Sequence, residues 1–93
     1  MVRAYGPELA GRLATRLQEL DAATSLSDVR ALPQARAHEL TGDRDEQISL
    51  DLKHPYRLIL LVADEPVPRR LGGGLDWDAV RTVTVSEIVD THG

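Results

Sequence analysis

The chain has no cysteine and no phenylalanine. A disulfide framework, a thiolate metal site and a cysteine nucleophile are therefore excluded. Aromatic side chains are limited to Tyr5, Tyr56 and Trp77, too few for the stacked platforms that hold single-stranded nucleic acid. No apolar run approaches the roughly 20 residues that span a bilayer, and the opening MVRAYGPELAGR lacks a signal-peptide core. These absences lead to the expectation of a soluble cytoplasmic protein with no membrane partner. Positive charge is also short: 11 Lys+Arg stand against 15 Asp+Glu, a net charge of −4. That balance argues against a generic, salt-driven nucleic-acid binder. Lys53 is the sole lysine, so the remaining cations are arginines, which offer a planar fork to phosphate or carboxylate. With 93 residues the chain has room for one domain, spanning 1–93.

The pattern begins with a helix over Pro7–Ala22. Proline suits a first helical position, and Leu9, Leu13, Leu17 and Leu20 form an apolar stripe with Arg12, Arg16 and Glu19 mainly opposite. Gly6 follows Val2-Arg3-Ala4-Tyr5 as if closing an earlier helical turn in the left-handed conformation. Ser25-Leu26-Ser27-Asp28 resembles a capping box and starts a short helix that Pro33 ends.

Beyond Pro33 the period changes to two. Ala35–Leu40 reads as a strand, followed by the turn Thr41-Gly42-Asp43-Arg44. Gln47–Lys53 alternates Ile48, Leu50 and Leu52 against Ser49, Asp51 and Lys53, while Tyr56–Val62 is the near-continuous apolar run of a central strand. His54-Pro55 joins the two by a tight turn. Residues 63–77 form a loop, and Thr82–Asp90, rich in β-branched residues, is the last strand, with a bulge near Glu87-Ile88. The expected fold class is α+β: a helical hairpin on one face of an antiparallel sheet of about four strands.

Gly72-Gly73-Gly74 lacks the strand-then-helix setting and the lysine ending of a phosphate loop. His38, His54 and His92 have no helical metal-ligand spacing, so no metal or other cofactor is expected. Arg57 interrupts an apolar strand and must find an anion or an open face. On spacing alone, a pair with Asp51 or Glu39 slightly outranks a functional role. If one sheet face is uncovered, Arg36 and His38, on the same side of their strand, converge there with Arg57, and Asp90 and His92 join from the last strand. Such a set suffices for phosphodiester cleavage without metal: one group takes a 2′-hydroxyl proton, another protonates the leaving oxygen, and arginine stabilises phosphoryl charge.

An ordered series of segments resembles one family. It runs Tyr5-Gly6-Pro7-Glu8-Leu9-Ala10, Leu26-Ser27-Asp28-Val29-Arg30-Ala31-Leu32-Pro33 and His38-Glu39-Leu40-Thr41-Gly42-Asp43-Arg44. It continues with Ser49-Leu50-Asp51-Leu52, His54-Pro55-Tyr56-Arg57-Leu58-Ile59, Gly73-Gly74-Leu75-Asp76-Trp77 and Glu87-Ile88-Val89-Asp90-Thr91-His92-Gly93. Together they are similar to the RelE/ParE superfamily, above all the HigB-type toxins of bacterial type II toxin–antitoxin systems. The resemblance implies the microbial-RNase-like fold and a ribosome-dependent mRNA endoribonuclease that blocks translation. It also implies a helix-turn-helix antitoxin of the HigA type as partner, beside the ribosome and mRNA. By the same resemblance His38, Arg57, Asp90 and His92 occupy the catalytic positions, and Arg36, Arg44 and Lys53 are the cations expected to meet RNA.

The chain departs from the family at Thr41, where lysine is usual, at Asp45-Glu46, where basic residues or glycine are usual, and at Thr91, where tyrosine is frequent. The rival reading is thus a catalytically weak or inactive homologue that binds an antitoxin and helps regulate an operon. Family members also carry a first strand before the Tyr-Gly-Pro segment. Its absence here leads to two expectations: an upstream start, or a homo-oligomer that covers the exposed sheet edge.

Overall fold

The computed structural model describes residues 2–91, with side chains from Gly6 onward. Helix α1 runs Val2–Ala22 and is interrupted at Gly6, where φ is 84° and ψ is 162°. The positive φ agrees with the expectation for a glycine, although ψ lies outside the left-handed helical well. Pro7 then opens the long segment without forfeiting a hydrogen bond.

The buried stripe of α1 differs from the leucine stripe expected. Leu9 is buried and Leu13 and Leu20 are partly so, but Leu17 is 41% exposed while Arg16 is only 4% exposed. Spacings of four, three and four through Leu9, Leu13, Arg16 and Leu20 follow a 3.6-residue period more closely. Position 16 therefore faces inward and position 17 lies on the flank. The inward arginine is satisfied: its Nε donates to the Asp51 carbonyl at 2.9 Å, and a terminal nitrogen pairs with Glu19.

Helix α2, Leu26–Arg30, has Ser25 at its N-cap without a side-chain capping bond. The expected capping box is displaced by one residue, because Asp28 Oδ2 accepts both the backbone N–H and the hydroxyl of Thr24 at 2.8 Å. The free N–H groups of the first turn go elsewhere. Leu26 N–H donates to the Val80 carbonyl at 3.1 Å and Ser27 N–H to the Trp77 carbonyl at 3.2 Å.

The sheet is an antiparallel meander, β1-β2-β3-β4 in spatial order. Its strands are β1 His38–Glu39, β2 Gln47–Asp51, β3 Tyr56–Val62 and β4 Val83–Asp90. Mixed α+β architecture is thus the observed class. The first strand is much shorter than the expected Ala35–Leu40. Pro33–Ala35 forms a single 3-10 turn and Arg36 has φ 44°, so Arg36 is not in a strand. The 3-10 turn takes up Ala35, and a left-handed residue at 36 breaks an extended run there.

Residues 48, 50, 58 and 60 point to the helix layer and are fully buried. Each such leucine or isoleucine contributes about 1.5–3 kcal/mol by burial. The segment read as loop, 63–77, is not bland. Leu75 and Trp77, with Val80 just beyond, enter the same core. Glu39 fixes that segment: its Oε2 accepts the Leu75 N–H at 2.9 Å and its Oε1 the Trp77 Nε1–H at 3.0 Å. Gly74 passes this carboxylate at φ 80°, a backbone conformation that L side chains rarely adopt. Arg30 stacks over the Trp77 ring, 4.5 Å from its centroid.

The bulge lies one residue earlier than expected. Leu60 faces Val85 and Ile59 faces Glu87, leaving Ser86 as the extra residue. None of the helices among the described residues is long and apolar enough to cross a membrane.

Candidate functional site

The helix layer covers one face of the sheet, so the other face carries the groups that alternate away from the core. The register aligns His38 with Ser49, Ser49 with Ile59 and Ile59 with Glu87 in one row across four strands. The next row is Asp51, Arg57 and Val89. Between these rows lies a groove of about 340 Å³. Ser49, Arg57, Ile59 and Val89 line it together with His38, Leu40, Arg44 and Thr91.

Arg57 spends its guanidinium within the protein. Its Nε donates to Ser49 Oγ, one terminal nitrogen pairs with Asp51, and the other donates to the Arg36 carbonyl at 2.9 Å. The side chain is 18% exposed. The Asp51 pair, the favoured reading of this arginine from spacing, is therefore present, and Glu39 is occupied with the 75–77 segment instead. Pairing does not take Arg57 out of the groove, which it still lines.

Arg36 and His38 do not share one strand face, because the chain turns at Arg36. Arg36 lies instead beside a second hollow of about 310 Å³, lined also by His54, Tyr56, Arg57 and Thr91. Its Nε sits 3.4 Å from Asp51 Oδ2. Thr91 adjoins both hollows, and its N–H and hydroxyl donate to the Pro55 carbonyl at 2.9 and 2.8 Å.

Asp90 does not reach the groove. It sits across from Tyr56, one position on from Val89, and strand alternation turns it to the opposite face. His92 lies outside the described residues. The other expected RNA contacts are also engaged. Arg44 spans from Gln47 at 3.1 Å to Glu87 at 3.0 Å, passing over the Ile59 row, and Lys53 Nζ lies 3.5 Å from Glu8 of α1. Lys53 thus belongs to the turn facing the helix, away from the groove.

The arrangement brings together one imidazole, the two guanidinium groups of Arg44 and Arg57, two hydroxyls and an apolar strip. His38 is exposed and lines the groove. Among the described residues no three histidine, aspartate or glutamate side chains gather into a metal-ion site. Sequence reasoning missed Ser49, Leu40 and Ile59 as groove residues. Residue parity alone placed Ser49 and Ile59 on the Arg57 side of their strands, but Ile59 in a continuous apolar run reads as core. Comparison of the chain with protein-family models, curated proteins and solved structures gives no match.

Proposed function

We propose that the chain is a RelE/ParE-type toxin domain of the HigB kind, an endoribonuclease that cuts mRNA on the ribosome and is neutralised by a helix-turn-helix antitoxin. The observation that carries this reading is the shared groove of His38 and Arg57 on the uncovered sheet face. It is supported by the ordered motif series along the chain and by the helices-then-meander order. His38 takes the 2′-hydroxyl proton, and Arg57 offsets the charge that gathers on the phosphoryl oxygens. The proton for the leaving oxygen comes from the C-terminal segment that follows Thr91, with His92 as its donor. No metal enters the scheme.

A second reading has its own observation. Arg36, Arg44, Lys53 and Arg57 each already face a carboxylate, so a phosphate must displace an internal partner to use them. That supports a homologue that binds an antitoxin without cutting RNA. Induced expression in a bacterial host separates the two. The nuclease reading expects growth arrest and new mRNA 5′ ends, relieved by the antitoxin and by His38→Ala. The binding reading expects a stable antitoxin complex with normal growth and intact mRNA.

A further inference from the structure

Strand β4 bonds to β3 along one side only. Among the described residues no backbone hydrogen bond joins Val83–Asp90 to any other element on its outer side. An eight-residue edge of this kind is a ready template for another strand. Two of the usual guards, lysine and proline, are missing from VTVSEIVD; the bulge at Ser86 and the acids Glu87 and Asp90 are the features that a partner strand has to accommodate. On the helix side of this edge strand Val85 is 48% exposed.

The register with β3 assigns each β4 side chain to a face. Val83, Val85, Ile88 and Asp90 oppose Val62, Leu60, Leu58 and Tyr56 and so lie on the helix side. Thr84, Glu87 and Val89 oppose Leu61, Ile59 and Arg57 and lie on the open side. An antiparallel partner must match these faces residue for residue. We infer that β4 pairs with β4 of a second copy of this chain, about a two-fold axis between Ser86 and Glu87.

That register pairs Val85 of one copy with Ile88 of the other on the helix side. It pairs Thr84 with Val89 on the open side, and Val83 with Asp90 on the helix side. Every one of these pairs is face-matched, and the match depends on the extra residue at Ser86. The bulge falls at the centre of the interface, with Ser86 and Glu87 about the axis, leaving 83–85 of each copy to pair with 88–90 of the other. Like charges do not meet directly: Glu87 stands across from Ser86, and Asp90 across from Val83. Glu87 is also already paired with Arg44. Isologous contact through one self-complementary patch is the commonest oligomer symmetry. The product is a continuous eight-stranded sheet with both helix layers on one side and both grooves on the other.

The test is the solution mass of the purified full chain by light scattering, from micromolar to millimolar concentration. The inference expects a rise toward twice the 10.2 kDa monomer mass. Val85→Lys, at a half-exposed position that tolerates a polar side chain, is expected to weaken association by about tenfold or more while leaving the circular dichroism unchanged. Ser86→Cys adds the chain's only thiol, and oxidation is expected to yield a covalent dimer. A monomer throughout the range, or a dimer indifferent to Val85→Lys with no Ser86→Cys cross-link, would overturn the inference. The readout is mass, so it stands apart from any result on RNA cleavage.

Discussion

Arg57 illustrates how one side chain serves structure and site together. Its partners are Ser49, Asp51 and the Arg36 carbonyl, and Asp51 keeps Arg36 nearby when Arg57 is removed. Arg57→Ala is therefore expected to stay folded, at a cost of about 1–3 kcal/mol for the partners left behind. Toxicity should disappear. Urea denaturation and growth after induction check the two halves separately, and full toxicity in the folded variant would make Arg57 purely structural. Arg16 behaves differently because it is buried between α1 and Asp51. Arg16→Ala should cost about 3–5 kcal/mol, since Glu19 loses its charge partner away from water. A native-like urea midpoint would contradict that. Asp28 contributes a pH dependence, with the Thr24 backbone N–H and then its hydroxyl holding the carboxyl below its ordinary 3.8. A carboxyl lowered on folding adds stability above its unfolded pKa, and this is lost as pH falls through the folded one. Thermal midpoints of Asp28→Asn should thus lie below the parent at neutral pH and converge with it in strong acid.

At the level of elements, much of the chain was legible because its periods are clean. The alternation of Ile48, Leu50 and Leu52 and the apolar run 56–62 located β2 and β3, and Pro7 located the start of the long helical segment. The misreadings have physical causes. The stripe Leu9, Leu13, Leu17 and Leu20 puts Arg16 mainly on the opposite face, whereas helical phase turns it inward and a backbone carbonyl satisfies it. Ala35–Leu40 reads as extended, yet the 3-10 turn that includes Ala35 and the left-handed Arg36 leave only His38–Glu39 in the strand. Residues 63–77 read as an ordinary loop because Glu39, the anchor of Leu75 and Trp77, is distant in sequence. That anchor makes a prediction at this scale. Glu39→Gln turns one acceptor oxygen into an N–H donor facing either Leu75 or Trp77, at a cost of about 1–3 kcal/mol. Trp77 is the only tryptophan, so its emission should shift to the red as the segment loosens. An unshifted spectrum with unchanged stability would show that core packing alone holds residues 75–77.

For the whole molecule, half of the candidate site could be read before the fold was known. His38 and Arg57 were singled out by type and position, and the sheet register brings them to one groove. Asp90 was not separable from Val89 until the register fixed their opposite faces. The wider electrostatics were hidden too, because composition gives a net charge of −4 but not which carboxylate sits against which arginine. The central claim is that the uncovered sheet face cuts ribosome-bound mRNA through His38 and Arg57. Its most direct test is transcriptome-wide mapping of mRNA 5′ ends shortly after induction, comparing the parent chain with His38→Ala. The account predicts new ends within translated codons in the parent and a loss of about a hundredfold or more in their abundance in the variant. Unaltered mRNA in the parent, or the same ends at the same abundance in His38→Ala, would contradict it.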